Sequence, residues 1–291
     1  MSTAPKPLYE ALIEPAELMS WADDDSVVIF DCRFSLADPD AGIRAYQEGH
    51  IAGAWYAHLD RDLSSAVRPG DTGRHPLPDP ARFGAFLAGR GVGSSTQVVC
   101  YDDRGGAYAA RFWWLCKWIG HDQVAVLDGG LPAWIDAGGP VAVAEPVPPA
   151  ERTDLRVQLR PSLVAEAGEI LRGEFTSIVD ARALTRYSGE EETIDPVAGH
   201  IPGASSFPYE ENLVEGRFGS AQYLRARYAA LPGIETGDVV CYCGSGVTAA
   251  HDALAIVAAG YPMPRVYPGS WSEWITDPDR PIELGKGSRR D

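Results

Sequence analysis

The run Cys243-Gly-Ser-Gly-Val-Thr248 has the composition of a loop that can make a sulfur atom nucleophilic. Gly244 and Gly246 permit positive φ and leave the backbone bare, so successive N–H groups can turn inward around a sulfur. Thr248 opens an apolar stretch that reads as a helix, and the unpaired N–H groups of a helix start favour an anion at the same spot. A thiolate held there reacts as a nucleophile, and the same donors would hold a persulfide, Cys–S–S⁻. An isolated cysteine would more simply be a small residue in a strand-to-helix turn. Two glycines, a helix start and a place at the end of a strand favour the reactive reading.

The other cysteines read differently. Cys241-Tyr-Cys243 suggests a metal site or a resolving pair, but no further cysteine or histidine cluster lies nearby in sequence to complete a ligand set. Cys32, Cys100, Cys116 and Cys241 sit in apolar strand and helix patterns and are expected in the core. Cysteine-dependent phosphatases also cradle a thiolate in backbone amides, but need an arginine six residues after it, where this chain has Ala249. A serine hydrolase would need Gly-Xaa-Ser-Xaa-Gly, and Ser245 lacks that spacing.

The elements that must position this loop occur twice. Asp31-Cys-Arg33 returns as Asp180-Ala-Arg182, and Gly49-His-Ile-Ala-Gly-Ala54 as Gly199-His-Ile-Pro-Gly-Ala204. Val98-Val-Cys-Tyr101 returns as Val239-Val-Cys-Tyr242, and Asp128-Gly-Gly-Leu-Pro-Ala-Trp134 as Pro268-Gly-Ser-Trp-Ser-Glu-Trp274. Echoes in one order, roughly 140–150 residues apart, mean a duplicated domain rather than a short-repeat solenoid. Short β-branched runs (26–30, 97–101, 124–127, 176–180 and 238–242) alternate with helical stretches (107–118 and 248–259), which predicts an α/β protein with parallel sheets. Ligands of such sheets bind beyond the carboxyl ends of the strands, where Cys243 lies. In the aligned copies Cys243 falls on Asp102, so one half carries a thiol where the other carries a carboxylate. Proline-rich residues 142–155 read as a stiff linker between residues 1–141, a non-catalytic half, and 156–291, the catalytic half. His50 and His200, like Arg33 and Arg182, recur in both halves and are expected to serve folding. Trp113, Trp114, Trp118, Trp271 and Trp274 read as core or interface, the last two also as possible pocket walls.

The chain has 291 residues, 45% hydrophobic and 23% charged, with a net charge of −16. Neither half is basic, which argues against nucleic acid or an anionic membrane as partner. No apolar run approaches membrane-spanning length, and the start lacks a secretory pattern. Five cysteines are too few and too odd in number for a disulfide framework, so a cytoplasmic setting is expected.

Tandem copies, paired Gly-His-Ile-Xaa-Gly-Ala segments and the terminal Cys243-Gly-Ser-Gly-Val-Thr248 loop closely resemble the two-domain rhodanese-type sulfurtransferases. The resemblance spans the whole chain and implies two tandem rhodanese-like domains, each a mainly parallel sheet flanked by helices. It implies transfer of a sulfane sulfur from a small donor onto the cysteine and on to a thiol acceptor, such as thioredoxin or a low-molecular-weight thiol, or to cyanide. Neither a metal nor an organic cofactor is implied. Thiosulfate-type loops in that family usually carry basic residues after the cysteine. The loop here is similar to that of 3-mercaptopyruvate sulfurtransferases, whose serine helps protonate the leaving enolate. The resemblance thus assigns catalysis to Cys243, Ser245, His75 in Gly73-Arg-His75, and Asp60, the last three as a proton relay across the domain interface. Arg186 matches the arginine that binds the donor's anionic group, with Gly244, Gly246, Val247 and Thr248 cradling the reacting sulfur. One departure stands out: mercaptopyruvate enzymes carry a second arginine about nine residues later, whereas Glu190-Glu-Glu-Thr-Ile-Asp195 offers only acids. A primarily thiosulfate-using enzyme, or a rhodanese-like binding module without activity, are the alternatives.

Overall fold

In the computed structural model, which describes residues 9–20, 26–150 and 153–285, the β-branched runs form two separate parallel sheets. In the first half, β1 (Leu12–Ile13), β2 (Val27–Asp31), β3 (Trp55–Tyr56), β4 (Gln97–Tyr101) and β5 (Val124–Leu127) lie in the order β1-β5-β4-β2-β3. In the second, β6 (Ser177–Asp180), β7 (Ala204–Ser206), β8 (Val239–Tyr242) and β9 (Arg265–Val266) lie in the order β9-β8-β6-β7. Every pairing within these two sheets is parallel. Central strands β4, β5 and β8 are buried along their whole length, which is why they read as unbroken apolar runs rather than alternating ones.

Helix α1 (Ala109–Trp118) follows β4, and α2 (Thr248–Ala258) follows β8. The helix α2 stops just ahead of Gly260, which takes φ +82, as its sequence position predicts. The two helices pack against each other, and one apolar cluster runs from Phe112, Trp113 and Trp114 through to Leu254 and Ile256. Burying side chains of this size is worth roughly 1.5–3 kcal/mol each, so the two halves are joined by core rather than by a surface contact. The far face of each sheet has its own cluster, around Trp134 in the first half and around Trp271 and Trp274 in the second.

Between the halves, Val141–Ala142 pairs antiparallel with His50–Ile51, and residues 143–150 form no helix or strand. The chain then returns along the first half, with Gln158 N–H on the Ile119 carbonyl and Arg160 N–H on that of Trp118, both at 2.8 Å. Among the described residues no helix is long and apolar enough to cross a membrane.

The duplicated residues do the same work twice. Arg33 forks onto Asp31 and reaches the Gly49 carbonyl at 2.6 Å, while Arg182 forks onto Asp180 and reaches that of Gly199 at 2.8 Å. His50 stacks on Tyr46 with its Nδ1 2.8 Å from that residue's carbonyl, and His200 repeats this on Tyr187. Both pairs fasten the loop after the first long strand of each half, a folding task.

Candidate active site

At the end of β8 the chain turns sharply, and the turn is pinned from three sides. Cys243 N–H donates to Ser270 Oγ at 3.0 Å, Trp271 N–H donates to the Cys243 carbonyl at 2.9 Å, and Ser272 N–H donates to that of Gly244 at 2.9 Å. Gly246 takes φ +77, and a Cβ there would lie 2.4 Å from the Pro268 carbonyl oxygen, so only glycine fits. Its N–H points at Cys243 Sγ, 3.2 Å away, and Cys243 as a residue is 2% exposed. Gly244 differs from the expectation, since its φ is not positive.

The first half shows what this type of loop selects. Asp102, at the position of Cys243, accepts four backbone N–H bonds: Arg104 and Gly106 on Oδ1 at 2.8 and 2.9 Å, Tyr108 and Ala109 on Oδ2 at 2.7 and 2.9 Å. Such a nest stabilises negative charge, so the non-thiol copy fills its own anion site with a carboxylate. The second half presents the corresponding strand end with a thiol in that place.

His75 and Ser245 are 170 residues apart in sequence, and His75 Nδ1 lies 2.7 Å from Ser245 Oγ. His75 Nε2 lies 3.3 Å from Asp60 Oδ1. The imidazole is buried, edge-on to Phe34, whereas the Asp60 side chain is 43% exposed. Burial lowers the His75 pKa below its ordinary 6.5, partly opposed by the hydrogen bond to Asp60. That bond in turn lowers Asp60. The ring is therefore neutral at pH 7, with Nε2–H donating to the carboxylate and Nδ1 accepting from the Ser245 hydroxyl.

Two guanidiniums stand over the loop. Arg186, on the short helix Leu184–Ser188, reaches Glu192 through Nε at 3.0 Å and Asp195 through Nη2 at 2.9 Å. Arg74, next to His75, pairs through Nη1 with the other oxygen of Asp195. A Cβ on Gly244 would lie 2.8 Å from Nη2 of Arg74 and 3.4 Å from Nη1 of Arg186, so a side chain there would push on both guanidiniums. Burial raises the Asp195 pKa, with both arginines opposing it.

The structure brings Asp60, His75, Ser245, Cys243 and Arg186 to one place, together with the loop residues Gly244, Gly246, Val247 and Thr248. Cys32, Cys100, Cys116 and Cys241 are buried and unpaired, and burial raises all four thiols above their ordinary range. Trp271 and Trp274 do not wall a pocket. They are 0% and 1% exposed, and their indole N–H groups donate to the carbonyls of Val197 and Pro281. Three neighbours escaped the sequence reading. Arg74 was hidden by its more reactive neighbour His75. Ser270, with φ +54, holds the Cys243 N–H where the first copy has Gly130. Arg111, fully buried on α1, donates from Nη1 to the Gly246 carbonyl and from Nη2 to that of His75, each at 3.1 Å. Burial pushes its pKa down to about 10, with the Cys243 sulfur acting the other way. An arginine inside an otherwise apolar helix was the available signal.

The rhodanese-like domain family matches residues 14–137 and again residues 163–277. The chain is 47% identical over 280 residues to a protein named "Probable 3-mercaptopyruvate sulfurtransferase" from Pseudomonas aeruginosa, covering 94% of this chain and 98% of that one. It is 34% identical over 299 residues to the thiosulfate sulfurtransferase of Rattus norvegicus, covering 97% and 98%. The solved 3-mercaptopyruvate sulfurtransferase of Leishmania major superposes with a TM-score of 0.82 at 31% identity, over 93% of this chain and 75% of that one.

Proposed function

The chain belongs to the rhodanese-like family, and from that membership we propose that it is a sulfurtransferase that takes sulfur from 3-mercaptopyruvate onto Cys243. The observation that carries the choice of donor is the hydrogen bond of 2.7 Å between Ser245 and His75 beside the thiol. The Cys243 thiolate attacks the donor's sulfur, and the sulfur–carbon electron pair leaves with the enolate of pyruvate. The donor thiol gives up one proton and the enolate needs one, so the exchange balances without an outside acid. Neutral His75 takes the first through Ser245, with Asp60 holding the imidazolium, and Ser245 then hands a proton to the enolate. Thiosulfate leaves as sulfite and needs no proton, which would give this relay no task.

The product is a Cys243 persulfide, which loop N–H groups such as that of Gly246, 3.2 Å from Sγ, would favour as an anion. Arg186 would bind the donor's anionic group through Nη1, since its Nε and Nη2 are engaged by Glu192 and Asp195. The first half is a scaffold in this reading: its own cradle is filled by Asp102, and it lends His75 and Asp60 to the catalytic second half. A thiol such as thioredoxin or a low-molecular-weight thiol, or cyanide, would discharge the persulfide. Five reduced, buried cysteines suit the cytoplasm. Comparing kcat/KM for 3-mercaptopyruvate and thiosulfate tests the reading. Mercaptopyruvate should be the better donor, and a higher value for thiosulfate would reverse the assignment.

A further inference from the structure

Three guanidiniums surround the loop that starts at Cys243, and carboxylates neutralise two of them. Arg74 is ion-paired with Asp195, and Arg186 with both Asp195 and Glu192. Arg111, from the first half, forms no ion pair with a carboxylate among the described residues, and its Nε is buried with no hydrogen-bond partner. We infer that Arg111 is a positioning residue for the nucleophile, the resident counter-charge that holds the Cys243 sulfur as an anion in both its thiolate and its persulfide states. This rests on Cys243 as the sulfur carrier and not on the choice of donor.

A buried charge persists only where something of opposite sign offsets it. Burial pushes Arg111 down to about 10, so the guanidinium is still charged at pH 7, and the Cys243 sulfur is the neighbour that opposes the shift. Hydrogen bonds fix where that charge sits. Nη1 donates to the Gly246 carbonyl at 3.1 Å, and the N–H of that glycine points at Cys243 Sγ, 3.2 Å away. Nη2 donates to the His75 carbonyl at 3.1 Å. The His75 ring is lowered first by burial and further by the Arg111 charge, against the pull of Asp60. One cation thus favours an ionised sulfur and a neutral relay imidazole together.

The duplicated half shows that an anchor for this loop need not be charged. Gly246 falls on Gly105 in the aligned copies. The Gly105 carbonyl is likewise held by the helix of the opposite half, through His251 Nε2 at 2.9 Å. Burial pushes His251 down to about 4, so that anchor is neutral. The loop it holds carries Asp102, and a carboxylate is ordinarily an anion at neutral pH, whereas a thiol ordinarily is not. The charged anchor stands at the copy whose anion needs help to form.

The test is the pH dependence of Cys243 alkylation by iodoacetamide, located by peptide fragmentation, in R111M, R111Q and R111K. R111Q keeps a donor for the carbonyls without the charge, and R111K keeps the charge without the fork. R111M and R111Q should both move the alkylation midpoint up by about one pH unit, a tenfold loss of thiolate at pH 7, and R111K should recover part of it. Because both donors meet the same sulfur, kcat/KM for 3-mercaptopyruvate and thiosulfate should fall by a similar factor in R111M. If R111M and R111Q fail to fold, R111K decides alone: a midpoint within about half a unit of the unmutated protein supports the counter-charge, and a rise of a unit or more overturns it. An R111Q profile matching the unmutated protein would overturn it too, leaving Arg111 as a carbonyl anchor. So would a loss in R111M confined to mercaptopyruvate, which would place its effect on His75. Alkylation of the unmutated protein at Cys241 instead would overturn the nucleophile itself.

Discussion

Replacing Ser245 by alanine separates the two donors more sharply than any other single change. The hydroxyl removed is 2.7 Å from His75 Nδ1 and one residue beyond the loop glycine that follows Cys243. Two losses follow. Proton delivery to the enolate disappears, and a positioned acid of this kind is worth roughly 10²–10⁴ in rate. His75 Nδ1 also loses its partner inside a site where the ring is 4% exposed, which costs about 1–3 kcal/mol of folding stability. The second loss is felt whatever the donor, so the comparison must be made within one protein. For S245A we expect kcat with mercaptopyruvate to fall by roughly two to four decades, while thiosulfate turnover stays within about one decade. The pH profile gives an independent check. Burial holds His75 below its ordinary value of 6.5, so the ring accepts a proton at neutral pH and loses that capacity as pH falls through its lowered pKa. The mercaptopyruvate rate should therefore carry an acid limb lying below pH 6.5 that the thiosulfate rate lacks. Equal losses with both donors, or the same acid limb for both, would mean that Ser245 merely shapes the loop.

Arg111 is fully buried, is pushed down to about 10 by burial, and has the Cys243 sulfur as its charged neighbour. R111M should slow alkylation of Cys243 by iodoacetamide at neutral pH by about tenfold or more, and R111K should recover part of that rate. An unchanged alkylation rate in a folded R111M would show that the guanidinium only anchors carbonyls. Asp252, on α2, accepts from Asn212 at 2.7 Å and Tyr228 at 3.2 Å through Oδ1, while Oδ2 has no partner, and burial raises it to about 7. The folded protein thus keeps a proton that the unfolded chain releases from about pH 3.8, so stability falls as pH rises toward 7. D252N should remove that slope and be more stable at pH 8 by up to roughly 4 kcal/mol, read as a higher Tm. A lower Tm at pH 8 than the unmutated protein would contradict the assignment.

The duplication made most of the fold legible, because each copy checks the other. Val98-Val-Cys-Tyr101 and Val239-Val-Cys-Tyr242 have the burial of central parallel strands, and the residue after each marks the site. The candidate thiol was singled out for the same reason, since Cys241 has a counterpart in Cys100 and Cys243 does not. The contact of His75 with Ser245 was not legible from spacing: no period links the two, and only the family resemblance put them together. Arg74 and Arg111 lie deeper still. Each comes from the first half and acts on a loop of the second, and such contacts depend on how α1 packs on α2, which no local pattern encodes. Glu192 and Asp195 looked like an obstacle to an anionic donor. Their braces on Arg186 and Arg74 require side-chain geometry that composition cannot carry.

The central claim is that sulfur passes through Cys243. Protein treated with 3-mercaptopyruvate, without acceptor, should be digested and its cysteine peptides weighed after capping. Because Cys241 and Cys243 share a peptide, fragmentation must place the added sulfur within it. The account predicts a gain of about 32 Da, one sulfur atom, on Cys243, absent in C243S and lost on adding cyanide or a thiol. Finding the sulfur on Cys241, or a C243S protein that still turns over donor, would contradict it.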